Sequence, residues 1–404
     1  MSYRRNFLLS IAATVFTGIL ITSVGCGGGS SAKSNSIVTS GGNVAQISVN
    51  GGPNGNYANG VFVSVTVCAP STSTCQTIPN VLVDTGSSGL RILSSVMTIS
   101  LPQQTGSSGP VVECLPFISG YTWGPVQTAD VQIGGEKASA VPIQTINETA
   151  FPVPTACSNQ GPAMDSVQTL GTNGILGIGL AGPDCFACSP NSGLANPNLY
   201  YACPTSGCQP ITQTLTNQVQ NPVALFPTDN NGVIVELPSL SSPAPSLIGS
   251  LVFGIGTQSN NALHGATVYT VDQFGNFTTS YNGKSYSGSF IDSGSNGYFF
   301  LNSALTGIPD CGGSSNSFYC PASSDNLTAM NQGASGGSGT VNFSVTNADS
   351  MFNSNNFAFP NLAGPVGTSA DYFDWGLPFF FGRNVYVAID GQSTPGGSGP
   401  FWAY

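Results

Sequence analysis

Residues 81–90 read VLVDTGSSGL, and residues 289–298 read SFIDSGSNGY. Each stretch ends an apolar run with Asp, then Thr or Ser, then Gly, and the chain has no further tripeptide of this kind. The repeat predicts two similar lobes that each donate one carboxylate, from Asp84 and Asp292, to a shared site. Two carboxylates forced together cannot both ionise, so one stays protonated while the other remains a base. Such a pair can activate water and protonate a leaving group without a metal or a histidine.

The composition indicates a β-rich protein. Only 6% of the residues are charged, whereas Gly and Pro number 52 and 28. Long amphipathic helices need charged faces, so we predict an all-β protein with few short helices. The chain has 7 Lys and Arg residues and a formal net charge of −10. Because nucleic-acid binding needs many cations to neutralise phosphates, this composition excludes it.

The N-terminus has the pattern of an export signal. Residues 1–25 predict a signal segment, in which Arg4 and Arg5 precede an apolar stretch from Phe7 to Val24, and Cys26 follows directly. The pattern resembles a bacterial lipoprotein signal, which implies cleavage before Cys26 and lipid on its thiol. An ordinary secretory signal or a membrane anchor is the alternative, although the apolar run is short for a spanning helix.

The segment after the signal is rich in Gly, Ser and Asn. Residues 26–45 therefore predict a flexible tether. We expect an exported lipoprotein of the cell envelope, in the outer membrane on its periplasmic or surface face. The lipid on Cys26 would be its membrane attachment, and we expect a monomer.

The cysteine content predicts a disulfide set. Of 11 cysteines, an even number remains once Cys26 is set aside, which is typical of an exported disulfide-bonded protein. The candidate pairs are Cys68–Cys75, Cys311–Cys320, Cys114–Cys157, and two nested bridges that join Cys185 and Cys188 with Cys203 and Cys208. A zinc site of those last four thiolates is the alternative. An oxidising compartment and the lack of nearby His favour disulfides, so we expect no metal and no cofactor.

Both Asp motifs follow predicted hairpins. Residues 59–66 and 78–83 predict a hairpin whose second strand ends at the first Asp. Residues 275–281 and 285–291, joined by an Asn-Gly turn, predict a hairpin that ends at the second Asp. Elsewhere, residues 211–219 predict a helix, and the Ser- and Gly-rich residues 322–340 predict a surface loop.

Taken together, these segments resemble a pepsin-type, two-lobed aspartic peptidase. Residues 173–180, NGILGIGL, resemble the apolar segment that crosses behind the first Asp, and residues 375–390 resemble the equivalent segment of the second lobe. Residues 250–254 resemble the strand that opens the second lobe. The chain also resembles a bacterial lipoprotein family, domain of unknown function 3443, that is grouped with pepsin-like folds. The resemblance implies a cleft between an N-terminal lobe over 46–238 and a C-terminal lobe over 239–404.

The resemblance also implies roles for the residues after each catalytic Asp. The glycines allow a tight turn, the Thr and Ser that precede them can hydrogen-bond across the two-fold axis, and the serines that follow can donate to the outer carboxylate oxygens. These supporting residues are Thr85, Gly86, Ser87, Ser293, Gly294 and Ser295.

Three features depart from the family pattern. Asp374 stands where the second crossing segment should be apolar, so its carboxylate either lies near the pair or caps a turn. Arg91 lies near the position of a family Trp. The flap hairpin, whose Tyr covers the cleft, should lie at about residues 111–133. The flap candidates are Phe117, Tyr121 and Trp123, and core packing is the alternative for each.

Two hypotheses follow for function. The first is a lipid-anchored endopeptidase that binds an extended peptide in the interlobe cleft. The second is a catalytically silent surface protein that binds peptides or polymers in the same cleft. A Ser-His-Asp hydrolase is disfavoured because the single histidine, His264, lies in a turn-like stretch with no nucleophile nearby. Sugar hydrolysis by the two carboxylates is disfavoured because few aromatic and acidic residues surround the motifs.

Overall fold

A computed structural model describes residues 35–367 and 372–404. Strands dominate both halves of this part of the chain. The first half contains β1 (Val44–Asn50), β2 (Gly60–Cys68), β3 (Cys75–Asp84), β4 (Ser88–Leu93), β5 (Thr105–Gly106), β6 (Gly109–Phe117), β7 (Gly120–Ile133), β8 (Glu136–Ile146), β9 (Gly174–Ile178), β10 (Tyr200–Ala202), β11 (Gln209–Ile211) and β12 (Gly232–Glu236).

The second half continues the same pattern. It contains β13 (Leu247–Phe253), β14 (Val268–Thr270), β15 (Phe277–Tyr281), β16 (Lys284–Ile291), β17 (Tyr298–Phe300), β18 (Asp325–Gln332), β19 (Ser338–Val345), β20 (Ala363–Gly364), β21 (Phe373–Trp375), β22 (Asn384–Ala388), β23 (Ser393–Thr394), β24 (Gly397–Ser398) and β25 (Phe401–Ala403). The α-helices of the described residues are short: α1 (Thr155–Ser158), α2 (Val167–Leu170), α3 (Ser303–Thr306) and α4 (Ala348–Phe352). The predicted all-β class with few short helices is confirmed.

Strands of both halves join in one large sheet. Its order, within the described chain, is β11-β10-β6-β7-β8-β4-β9-β3-β2-β1-β13-β12-β22-β25-β14, with β5 at the side of β6. The first strand connects the halves, because β1 pairs antiparallel with β2 on one side and with β13 on the other. Ala45, Ile47 and Val49 alternate with more exposed residues along β1, so one face of the strand packs inward.

A second sheet carries the other Asp motif. Its order is β19-β18-β15-β16-β21-β17-β20 among the described strands. The largest hydrophobic core lies between elements of both halves, since it includes Val81 and Leu176 from the first and Ile291 and Trp375 from the second. The two Asp motifs are therefore held against one continuous core.

Two predictions about local structure are wrong. Residues 211–219 form no α-helix: the segment begins at the end of β11 and contains a single 3-10 turn, Leu215–Asn217. Residues 322–340 are not a loop, because β18 and β19 pair there along their whole length. Most apolar side chains of this hairpin, among them Ala329 and Val341, enter the core, while Met330 and most of its Ser, Thr and Asn residues face outward.

Some sequence predictions fall outside this description. The signal segment, Cys26 and most of the predicted tether precede residue 35. None of the helices in the described ranges has the length and apolar character needed to cross a membrane. The lobe boundary at 238/239 stays a prediction, and β12 just before it pairs with β13 and β22 beyond it.

Candidate active site

The two Asp motifs are built in the same way. In the first, β3 runs parallel to β9, and β4 returns antiparallel on the other side of β9. In the second, β16 runs parallel to β21, and β17 returns antiparallel on its other side. Each Asp therefore lies where a strand ends and the chain turns back over a crossing strand.

The structure brings Asp84 and Asp292 together. A Cβ added to Gly86 would lie 2.5 Å from Cγ of Asp292, and one added to Gly294 would lie 2.7 Å from Oδ1 of Asp84. Each glycine thus gives the opposite carboxyl group the space that a side chain would fill. Both carboxyl groups are buried, with 6% of each residue exposed, and they hydrogen-bond to each other.

The hydrogen bonds to the two carboxyl groups are nearly symmetric. The backbone N–H of Gly86 donates to Oδ1 of Asp84 at 2.8 Å, and that of Gly294 donates to Oδ1 of Asp292 at 2.7 Å. The outer Oδ2 atoms contact serine hydroxyls, Ser87 at 2.5 Å and Ser295 at 2.9 Å. These contacts fix the orientation of both carboxyl planes.

Thr85 and Ser293 connect the two loops. The N–H of Thr85 donates to Oγ of Ser293 at 3.1 Å, and the N–H of Ser293 donates to Oγ1 of Thr85 at 2.9 Å. Each hydroxyl also donates to the strand before the opposite Asp, Thr85 to the carbonyl of Ile291 and Ser293 to that of Val83. With all four groups buried, this exchange locks the relative position of the two Asp residues.

The electrostatics of the pair favour one shared proton. Burial, followed by the charge of Asp84 and a hydrogen bond with it, raises the pKa of Asp292 to about 8. The hydrogen bonds from Gly294 and Ser295 act in the opposite direction. Because like charges in a buried site cannot both persist, the pair holds a single proton across a wide pH range.

Asp374 lies beside the pair rather than at a turn. Its Oδ2 is 2.7 Å from Oγ of Ser295, the same hydroxyl that contacts Asp292. Only 2% of Asp374 is exposed, and burial, followed by the charge of Asp292, raises the pKa of this carboxyl well above its usual range. The sequence singled out Asp374 as a departure but left its place open.

Arg91, near the position of the family Trp, forms a buried ion cluster. Its guanidinium contacts Glu113 at 2.8 Å and Asp184 at 2.6 Å, and it donates to the carbonyl of Ser88 at 2.8 Å. Tyr200 donates to Asp184 at 2.6 Å. Burial, followed by the charge of Glu113, raises the pKa of Asp184 well above its usual range. Sequence reasoning missed both acidic partners, because their separation along the chain gives no signal of contact.

The three flap candidates lie on the two strands of the β6–β7 hairpin, Phe117 at the end of β6 and the other two on β7. Trp123 is buried, donates through Nε1 to the carbonyl of Phe151 and packs edge-on against Tyr201. Tyr121 is in the same cluster, around the disulfide of Cys114. Phe117 is half-buried and packs on a separate cluster with Leu93 and Ile146. These contacts are those of core packing, and the flap role stays a prediction.

Tyr57 interacts electrostatically with the carboxyl pair, which the sequence did not reveal. Burial, followed by the charges of Asp84 and Asp292, raises the pKa of its hydroxyl to about 12. Its loop is fixed to the second half by Asn59, whose amide donates to the carbonyl of Asn296 at 2.8 Å. Tyr57 sits in a Gly- and Asn-rich loop with no motif, which is why it was overlooked.

Five disulfides are present among the described residues: Cys68–Cys75, Cys114–Cys157, Cys185–Cys188, Cys203–Cys208 and Cys311–Cys320. The predicted nested bridges of Cys185 and Cys188 with Cys203 and Cys208 are wrong.

The reason is the alternation of side chains along β10. Tyr200 packs with Cys185 and Cys188 on one face, while Tyr201 packs with Cys203 on the other. The two cysteine pairs are thus on opposite sides of the sheet and cannot meet. The alternative zinc site is also wrong, since all four sulfurs are in disulfides.

His264 lies away from any catalytic arrangement. It is exposed in a turn and has a φ of 48°, in the left-handed region. This position agrees with the expectation of a solvated turn histidine.

Comparisons with known proteins agree with the fold. A family model described as "Protein of unknown function (DUF3443)" matches residues 39–404. The crystal structure of an aspartic proteinase from Irpex lacteus is similar over 89% of this chain and 96% of that chain, with 16% sequence identity and a TM-score of 0.51. At that identity the likeness shows the fold alone, and the predicted pepsin-like fold is confirmed. A search of curated proteins found no match.

Proposed function

We propose that this chain, which belongs to the DUF3443 family, is an exported, lipid-anchored aspartic-type endopeptidase. The observation that carries the proposal is the hydrogen-bonded pair of buried carboxyl groups, Asp84 and Asp292, of which Asp292 has a pKa raised to about 8 by burial and by the neighbouring charge. A proton donor and a base in one site are what peptide hydrolysis by water requires.

The chemistry uses one water molecule and the shared proton. The ionised carboxyl takes a proton from water as the water oxygen attacks the peptide carbonyl carbon, and the protonated carboxyl gives its proton to the carbonyl oxygen. The resulting gem-diol then collapses: the C–N bond breaks, the leaving nitrogen receives the proton first taken from water, and one hydroxyl proton returns to the pair. The pair regains its starting state, with one proton shared between Asp84 and Asp292.

The supporting contacts fit this cycle. The glycine N–H groups and the serine hydroxyls hold both carboxyl planes while the proton changes sides, so little reorganisation accompanies the reaction. An extended peptide would lie beside the β6–β7 hairpin and bond through its backbone, as strand-like ligands do.

The decisive experiment compares the mature protein with Asp84→Asn and Asp292→Asn variants. Cleavage of a mixed peptide library is followed from about pH 3 to about pH 8, with and without pepstatin. We expect a bell-shaped profile for the wild type, because the base is lost at low pH and the shared proton at high pH. Each Asn variant should lose turnover, since an amide neither donates the acid proton nor accepts one from water.

Wild-type cleavage no faster than that of the double Asn variant would contradict the proposal. In that case, binding of the same peptides without cleavage would support the alternative, a silent surface protein that uses the cleft for binding. Unfolding curves for all variants would establish that the substitutions leave the fold intact.

A further inference from the structure

Asp374 breaks the two-fold symmetry of the candidate site. In the first half, the crossing strand places Ile175 beside Leu82 and Leu176 beside Val83. In the second half, the same register places Asp374 beside Phe290, with Trp375 beside Ile291. A carboxyl group therefore stands where the other half has the apolar side chain of Ile175.

The hydroxyl of Ser295 lies between two carboxyl groups but has a single proton. Its Oγ is 2.9 Å from Oδ2 of Asp292 and 2.7 Å from Oδ2 of Asp374. Both separations are hydrogen-bond distances. The serine can donate to one of the two oxygens, so the other contact needs a proton carried by a carboxyl group.

Asp374 is the group suited to carry that proton. It is buried, and its Oδ1 has no hydrogen-bond partner within residues 35–367 and 372–404. No ion pair in the described part of the chain includes it. An ionised carboxylate in this position would leave a buried charge uncompensated, which is far more costly than a neutral acid.

Acidic groups face Asp374 from the loops, and no cation faces it from the adjacent strands. Asp292 and Asp84 contribute to raising the pKa of Asp374, after burial. On β16, Lys284 is at the far end of the strand and exposed. On β17, Tyr298 pairs with Trp375, the neighbour of Asp374. The surroundings therefore favour the neutral acid.

We propose that Asp374 is a protonated positioning residue that donates to Ser295, which in turn donates to the outer oxygen of Asp292. In such a chain each bond polarises the next, so the Ser295 hydroxyl is a stronger donor than Ser87 would be at the same distance. The extra stabilisation of ionised Asp292 lets the pair lose its shared proton at a lower pH than a symmetric site would allow. This last consequence rests on the proposed peptidase, whereas the protonation of Asp374 does not.

The first test needs no turnover. Infrared spectra of the wild type and of Asp374→Asn are compared at neutral pH in the C=O region of protonated carboxyl groups. We expect the variant to lack one component of that band. Asp310→Asn is the matched control, because Asp310 also contacts a serine hydroxyl, Ser303 at 2.9 Å, but is exposed. Equal bands in the wild type and Asp374→Asn would overturn the proposal.

The second test uses the pH profile of cleavage. Asp374→Asn keeps a neutral donor toward Ser295 and should leave both limbs in place. Asp374→Val removes the donor and should move the alkaline limb upward by a few tenths of a pH unit, since donor strengthening of about 10–30% acts on a bond to a charged group. If both variants instead moved the alkaline limb equally to lower pH, each would have removed a negative charge beside the pair. Asp374 would then be an ionised third carboxylate, contrary to the proposal. If the wild type cleaves no peptide, the infrared result alone decides.

Discussion

At the scale of single residues, the carboxyl pair makes stability depend on pH. The pKa of Asp292 is raised to about 8 in the folded protein, chiefly by burial and then by the charge of Asp84. The folded state therefore binds a proton that the unfolded state releases once the pH exceeds about 4. Stability from this group is complete at lower pH and declines as the pH rises toward about 8.

We expect the free energy of unfolding of the wild type to fall between pH 4 and 8 by more than that of Asp292→Asn. The additional fall is at most a few kcal/mol, because each unit of difference between the folded-state and unfolded-state pKa is worth about 1.4 kcal/mol. Urea titrations at several pH values measure it. A parallel pH dependence in both proteins would contradict the assignment of a raised pKa to Asp292.

The serines that contact the outer oxygens orient carboxyl groups without exchanging protons with substrate. Ser87→Ala and Ser295→Ala should each lower kcat/KM by about tenfold or more, because a hydrogen bond to a charged group is worth about 1.5–3 kcal/mol. Ser88→Ala is the matched control, since its hydroxyl donates to the carbonyl of Ala181 instead. A loss as large in Ser88→Ala as in Ser87→Ala would show a general effect on the loop.

The sequence indicated residues that belong to a local motif and missed those that meet across the fold. Asp84, Asp292 and the residues directly after them were identified from two short repeats. Tyr57 and Glu113 were not, because each approaches its partners through long-range packing that no local pattern encodes. Whether these residues act as proposed stays a prediction.

At the scale of elements, Arg91 connects the strand after the first Asp to the β6–β7 hairpin. Its side chain on β4 contacts Glu113 on β6, and both are fully buried. Arg91→Met would leave two acidic groups without a cation, which costs about 3–5 kcal/mol for a buried pair. Chemical denaturation should therefore show a large loss of stability.

The control for this prediction is Lys137→Met. Lys137 pairs with Asp130 at 3.3 Å but is 48% exposed, so its removal should cost at most about 1 kcal/mol. Similar losses of stability in Arg91→Met and Lys137→Met would mean that the buried Arg91 cluster stabilises the fold no more than an exposed ion pair does.

The disulfides should differ in their contribution to stability. Cys114–Cys157 closes a loop with a separation of 43 residues, whereas Cys203–Cys208 spans 5. From loop-closure entropy, replacing both cysteines by Ser should cost about 4 kcal/mol for the first and about 2 kcal/mol for the second. Thermal unfolding of the two double variants measures the difference. Equal losses would indicate that the unfolded chain retains structure in the longer loop.

Hairpins with a clear turn signal were predicted well, and segments without one were not. The Asn-Gly turn between β15 and β16 gave the second motif its strand order. The β18–β19 hairpin was mistaken for a loop because its outward face is made of small polar residues. Cysteine pairing failed for a related reason: which face of β10 a cysteine occupies depends on the neighbouring strands.

At the scale of the whole molecule, the proposed lipid would hold the domain at a membrane through the tether. Cys26→Ser should release the full-length protein into the soluble fraction after export, because without the Cys26 thiol the chain cannot carry the acyl groups that provide attachment. Fractionation and labelling with a fatty-acid analogue measure the effect. A variant that stays in the membrane fraction with unchanged label would contradict lipidation at Cys26.

The place of β1 in the large sheet has a consequence for biogenesis. Val44 on β1 pairs with Val252 on β13, a strand that is synthesised much later than β1. At about 5–20 residues per second, an interval of about 10–40 s separates the two during synthesis. For that time the edge of β1 that pairs with β13 lacks its partner, so we expect the nascent polypeptide to need holding factors until β13 is complete. Secretion of the finished chain in an unfolded form would shorten the time during which β1 lacks this partner, because β1 and β13 would then reach the folding compartment nearly together.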